Sequence, residues 1–186
     1  VHGSCPSLMS PYGQTRPDAG GLSVLGEPVD WRRYTPTEAI ARGVGKVHQN
    51  FMLVGPMSVL ENVVLGREPT SRVGFLDLGR ARGELHELSQ RLGFTLDLDA
   101  RVSALSVGEK QRVEIVKVLW RGARGLLLDE PTAVLTPQQV DELFALLARL
   151  CAEGHAICLV THKLDEVTRL CDTICVLRRG RHVATL

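Results

Sequence analysis

Two short segments carry residue types that can do phosphate chemistry. Asp129 and Glu130 stand together after the apolar run Gly125-Leu126-Leu127-Leu128. If that run is a buried strand, both carboxylates project from its carboxyl end, where open α/β sheets bind their ligands. Two adjacent acids leaving a buried strand are costly without a cation. Asp129 is therefore suited to hold a magnesium ion, directly or through water, and Glu130 to polarise the water that attacks a terminal phosphate. A strand end with two solvated acids is the alternative reading. Upstream, Leu105-Ser106-Val107-Gly108-Glu109-Lys110-Gln111 opens a helical period continued by Val113, Val116 and Leu119. A helix N-terminus with a hydroxyl and an unhindered glycine amide is an anion site. Ser106 also stands where an N-cap would, with Glu109 completing a capping box three residues later, and the two roles are compatible.

The elements that must position these residues follow from patterning. Short apolar runs alternate with helical periods, which implies parallel strands covered by helices, an α/β domain. The clearest strands are 125–128, 156–161 and 173–177, each nearly continuous in apolar residues. Between the first two, Thr136, Pro137 and Gln139 mark a capped helix start, Leu143, Leu146, Leu147 and Leu150 one buried face, and Gly154 the stop. A second helix is expected over 164–170, followed by a hairpin turning at Arg178-Arg179-Gly180-Arg181. Earlier, 22–29 alternates like a hairpin around Gly26-Glu27, and 59–64 and 83–92 are helical in period. These patterns predict one domain over residues 1–186, a mixed sheet flanked by helices, with a helical insertion from about 55 to 105.

Composition excludes several classes. Twenty-two Lys and Arg against 21 Asp and Glu leave a net charge of +1, no footprint for nucleic acid or an anionic membrane. No apolar run approaches the roughly 20 residues of a spanning helix, and the first residues lack a signal-peptide pattern, so a cytoplasmic chain is expected that reaches a membrane only through a protein partner. Five cysteines, at 5, 151, 158, 171 and 175, fall mostly in apolar runs and read as buried reduced thiols. Cys171, Cys175 and His162 form no paired CxxC arrangement, so no zinc site is expected.

The stretch 105–114 resembles the signature sequence of ABC transporter ATPases, in the LSxGE variant of importers of simple sugars and nucleosides. Asp129-Glu130-Pro131-Thr132 is similar to the Walker B segment of that family, and 133–137 stands where its D-loop follows. His162 matches the switch histidine, and Gln49, in Val47-His48-Gln49-Asn50-Phe51, matches the Q-loop glutamine. The resemblance implies a P-loop NTPase (RecA-like) fold with a small helical subdomain, and a head-to-tail pair of domains with ATP and Mg2+ between them. Ser106, Gly108 and Glu109 would face the nucleotide held by the second domain. Asp129 and Gln49 would meet the metal, Glu130 would act as general base, and His162 would hold phosphate and water in line. The implied partners are a transmembrane permease, a second nucleotide-binding domain and, indirectly, a substrate-binding protein, with no nucleic acid. The implied location is the cytoplasmic face of the membrane. Phe51-Met52-Leu53-Val54-Gly55-Pro56-Met57, apolar for a loop, is either a docking surface for the permease or packing of the helical insertion onto the sheet.

The pattern breaks at one place. A GxxxxGK[ST] loop should precede Leu8-Met9, its amides cradling phosphates, its lysine neutralising them and its hydroxyl meeting magnesium. Aligning Leu8-Met9 puts Ser4 at the last glycine, Cys5 at the lysine and Pro6 at the hydroxyl, and no lysine occurs in the first 45 residues. Pro6 has neither hydroxyl nor amide hydrogen. The expectation is a domain incomplete at its N-terminus, impaired in binding ATP by itself, with a signature face that can still complete another domain. A soluble ABC ATPase of DNA repair or translation is disfavoured by the neutral charge.

Overall fold

The computed structural model describes residues 12–14, 21–48, 50–70, 75–178 and 181–186. Three parallel strands form its centre, in the order β3 (Val44–Val47), β4 (Gly125–Asp129), β5 (Ala156–Val160). Ahead of them come the antiparallel pair β1 (Leu22–Val24) and β2 (Glu27–Val29) and the helix α1 (Pro36–Ala41). Helices α2 (Val59–Val64), α3 (Leu78–Arg91) and α4 (Val107–Trp120) lie between β3 and β4. Helix α5 (Pro137–Ala152) joins β4 to β5, and α6 (Leu164–Leu170) leads to the antiparallel pair β6 (Cys175–Arg178) and β7 (Arg181–Thr185).

Register matters most for the site. Val47 pairs with Leu128 and Asp129 with Val160, so the chain leaves all three parallel strands at the same end of the sheet. Leu126 and Leu128 are fully buried against α2, α3, α4 and α5, whereas Leu127 points to the other face and packs with Val24, Val29, Ala39 and Val44. That alternation is the two-faced burial a central parallel strand requires. β3 carries Gly45 because its backbone runs against α4: a Cβ there would sit 2.8 Å from Val118 Cβ and 3.0 Å from Ala123 Cβ.

Capping fixes the helix starts. Ser58 with Glu61, Ser106 with Glu109 and Thr136 with Gln139 each form a reciprocal capping box. Each cap contributes about 1 kcal/mol. Asp77 caps α3 through Arg80 N, so that helix begins five residues before the predicted 83.

Three expectations are corrected. The parallel and antiparallel strands do not share one mixed sheet: among the described residues, β1–β2 and β6–β7 each pair only with each other. The first hairpin turns on Leu25-Gly26, not Gly26-Glu27, because both turn residues adopt positive φ (50° and 87°), as the twist of a two-residue hairpin demands. The cysteines are free but not buried: Cys151, Cys158 and Cys175 are exposed and Cys171 half-buried. β5 pairs only with β4 among the described residues, so the apolar run that holds Cys158 is an edge rather than an enclosed strand. Cys5 and the turn residues Arg179 and Gly180 lie outside the described residues.

Candidate functional site

The site forms where β4 and β5 end. Asp129 closes β4, half-buried, and the chain turns sharply at Glu130, whose φ is +49°. A non-glycine residue held there carries about 1–3 kcal/mol of strain and persists only where its surroundings over-determine it. Glu130 is fastened on three sides. Its N–H donates to Val160 O at 2.9 Å and its carbonyl accepts from Ala133 N at 3.1 Å. Its Oε1 lies 2.7 Å from His162 Nδ1.

His162 follows β5, and its side chain is 74% exposed, so the pair faces outward from the sheet end. With Nδ1 occupied by Glu130, Nε2 is the ring nitrogen left to address a ligand. The structure thus brings together two of the residues expected to act in hydrolysis, on neighbouring strands and 32 positions apart in sequence.

Behind them lies a buried network. Thr132 is 1% exposed and its Oγ1 donates to Glu166 Oε1 at 2.6 Å, while Thr161 Oγ1 donates to Glu166 Oε2 at 3.0 Å. Lys163 Nζ reaches Glu166 Oε1 at 3.2 Å and donates to Thr132 O at 3.2 Å. Burial pushes the Glu166 carboxyl up, but the hydrogen bonds from Thr132, Lys163 and Thr161 outweigh it and hold it below its ordinary value. Sequence reasoning placed Thr132 in the 129–132 segment and Thr161 at the end of a strand, but assigned none of the four a part in the site. Their only signal was polar types flanking Glu130 and His162.

Ser106 and Gly108 stand at the start of α4, on a separate element. Ser106 Oγ donates to Glu109 Oε2 at 2.6 Å and accepts from Glu109 N at 3.3 Å. The bonds from Ser106 Oγ and from Ser106 N–H to Oε2 hold the Glu109 carboxyl below its ordinary value. Gly108 is buried beneath Gln139 at the start of α5, and Arg112 pairs with Glu142 one turn further along. No hydrogen bond links Ser106 or Gly108 to Asp129, Glu130 or His162 among the described residues. Gln49 lies outside the described residues, as do positions 4–9, where the phosphate loop was expected.

The loop after Gln49 is held firmly. Asn62, fully buried, accepts from Val54 N at 2.7 Å and donates to Val54 O and Ser58 O. From the other side α4 contributes Lys117, whose Nζ donates to Met52 O at 2.9 Å, and Glu114, whose carboxylate accepts from the Met52 backbone. Glu114 is 2% and Lys117 8% exposed. Burial pushes the Glu114 carboxyl up and the Lys117 ammonium down, each opposed by the charge of the other. Leu53 packs inward while Met52 and Val54 project into solvent.

The donor set suits magnesium. No group of three or more His, Cys, Asp or Glu able to hold a metal occurs among the described residues. Mg2+ ordinarily takes one or two carboxylates and completes its shell with phosphate oxygens and water, which Asp129 beside Glu130 can satisfy.

Known proteins resemble the chain in sequence and in fold. Residues 7–133 match the ABC transporter family. The chain is 45% identical over 176 residues to the nucleoside import ATP-binding protein NupA of Lactococcus lactis, covering 94% of this chain and 34% of that protein. It is 43% identical over 175 residues to the guanosine import ATP-binding protein NupO of Bacillus subtilis, with the same shares. Among solved structures, cbiO1 from Clostridium perfringens, part of the ABC transporter complex cbiONQ, superposes with a TM-score of 0.79 at 30% identity, over 95% of this chain and 69% of that one. An ATP-binding cassette of an ABC transporter in its ADP conformation, 21% identical, shares the fold with a TM-score of 0.81 over 96% of this chain and 73% of its own. The fold is that of a P-loop NTPase, of the α/β class. The chain belongs to the ABC transporter family. It spans about a third of the length of the curated import proteins it matches.

Proposed function

We propose that this chain is the nucleotide-binding part of an ABC importer of the sugar or nucleoside type, coupling ATP hydrolysis to transport. The Glu130–His162 pair at the shared end of β4 and β5 carries the reading. Glu130 accepts the proton of the attacking water, and His162, braced through Nδ1, presents Nε2 to phosphate and water. Asp129 holds Mg2+, which when bound neutralises charge on the phosphates. Ser106, Gly108 and Glu109 serve a second domain: Ser106 exchanges its bond to Glu109 for a phosphate oxygen bound opposite. Gln49 is assigned to the metal and terminal phosphate by its place two residues after β3. The helical segment of about 55–105 is taken as the subdomain that carries the face toward the permease. The exposed Met52 and Val54, on a loop clamped from both sides, support docking there.

No helix among the described residues is long and apolar enough to cross a membrane, and the chain is assigned to the cytoplasmic face through the permease. The nucleoside and guanosine import relatives support the substrate class. A second reading, a domain that supplies only its signature face, is favoured by Cys5 and Pro6 at the lysine and hydroxyl positions. Turnover by the chain carrying Glu130→Gln tests the main reading. The expected loss is at least about a hundredfold in kcat with nucleotide affinity retained; unchanged turnover removes Glu130 as the base.

A further inference from the structure

Glu130 and His162 sit on two different loops, and a 2.7 Å contact between side chains on separate loops needs something to fix the loops against each other. One is the Glu130 N–H bond to Val160 O at the strand ends. The other is Glu166. Its two oxygens are divided between the loops: Oε1 takes the hydroxyl of Thr132, two residues after Glu130, and Oε2 takes that of Thr161, the residue before His162. Lys163, the residue after His162, adds its ammonium to Oε1 and to the Thr132 carbonyl. Every residue flanking His162 is thereby tied through Glu166 to the loop of Glu130.

Alternative duties for Glu166 are weaker. It stands in the first turn of α6, where an acid favours the helix dipole, but Lys163 at the N-cap makes no side-chain cap bond and Glu166 directs both oxygens away to threonine hydroxyls. An acid serving the dipole alone would remain in solvent, as Asp165 beside it does. A buried carboxylate with both oxygens satisfied is rigid, which is what a residue at φ +49° nearby requires.

We infer that Glu166 is a positioning residue that sets the register of Glu130 against His162 by bridging Thr132 and Thr161. The inference rests on the reading of Glu130 and His162 as the hydrolytic pair, and it adds a residue that touches neither nucleotide nor metal.

Amide hydrogen exchange on the full chain tests it without any need for turnover. Glu166→Gln should raise exchange about tenfold or more in both 129–135 and 161–163 while leaving α4 and α5 unchanged. Should Glu166→Gln fold poorly, Thr132→Val removes one bridge bond alone and should loosen 129–135, and Thr132→Ser, which keeps the hydroxyl, should restore the native rate. Exchange that rises only within α6, or rises equally throughout the sheet, overturns the inference. So does a Thr132→Ser variant that behaves like Thr132→Val. In turnover by the chain, Glu166→Gln should lower kcat about tenfold with KM changed less than about twofold; an equal rise in KM counts against positioning. Absence of turnover by the wild-type chain would defeat the proposed function, and the exchange pattern would still decide whether Glu166 bridges the two loops.

Discussion

Gly108 shows how one residue answers to two constraints. A glycine in the first turn of α4 lets a phosphate approach the backbone, but in the folded chain its open side is already filled: a Cβ would lie 2.8 Å from Gln139 Nε2 and 3.0 Å from Gln139 Cδ. Gln139 is not free to leave, because its Oε1 accepts from Thr136 N at 3.0 Å as half of the α5 capping box. Gly108→Ala therefore gains helix propensity, up to about 1 kcal/mol, and loses the cap, about 1 kcal/mol. Chemical denaturation of a double-mutant cycle separates them. Gly108→Ala alone should be close to neutral, whereas on a Gln139→Ala background, where no cap remains to lose, it should stabilise by about 1 kcal/mol. Equal effects on both backgrounds would mean that Gln139 yields without cost. At this scale the sequence was legible where chemistry is local. Asp129-Glu130 and Ser106 with Glu109 announce themselves by adjacency and by a three-residue spacing. Glu166 did not, since its partner Thr132 is 34 positions away and only the fold joins them.

Among the elements, α4 does the most connecting. Its N-terminus carries the signature residues, and two and three turns along it Glu114 and Lys117 grip the backbone of Met52, just after Gln49. A cavity of about 270 Å³ lies beside them, lined also by Lys46, His48 and Arg121, and Glu114 Oε1 is buried without a hydrogen-bond partner. Glu114 thus depends on the Lys117 charge. Lys117→Met should destabilise the chain by about 3–5 kcal/mol, because it strands a buried carboxylate and a carbonyl. Adding Glu114→Gln should recover most of that loss, since a neutral amide needs no cation. Additive losses in urea denaturation would show that the two residues act separately. Helices α4 and α5 were readable because each opens with Ser or Thr and an acid or glutamine three residues later, and α2 by its helical period, although Ser58 and Glu61 carry the same capping signal. β3 and α1 were passed over. Val44-Gly45-Lys46-Val47 has only two apolar side chains, and it is buried because Gly45 admits α4 and Lys46 finds Gln14 at 3.2 Å. For α1 a signal was present: Thr35-Pro36 repeats the start found at Thr136-Pro137, and Thr35 does cap it.

For the molecule as a whole, the distribution of exposure argues that one copy of this surface is not a working site. His162 is open to solvent, Ser106 is exposed, and the apolar Val134 and Leu164 beside the hydrolytic pair stand 63% and 79% exposed. Hydrolytic electrostatics strengthen when water is excluded, so the proposed role of Glu130 calls for a second domain to cover these residues. The two candidate roles then separate cleanly, because they use different faces of the same chain. On the proposed reading Ser106 and Gly108 serve a nucleotide held opposite, whereas Glu130 and His162 serve one held by this chain. Mixed with an intact domain that carries its own phosphate loop, the chain should raise that domain's turnover in a saturable way. Ser106→Arg in this chain, which also removes the α4 cap at a cost of about 1 kcal/mol, should abolish the stimulation. Glu130→Gln in this chain should leave it nearly unchanged if the Cys5 and Pro6 positions prevent nucleotide binding in cis, and should halve it or more if this chain hydrolyses as well. Equal loss from both substitutions would establish two working sites, and a chain that stimulates nothing would deny the signature face its role.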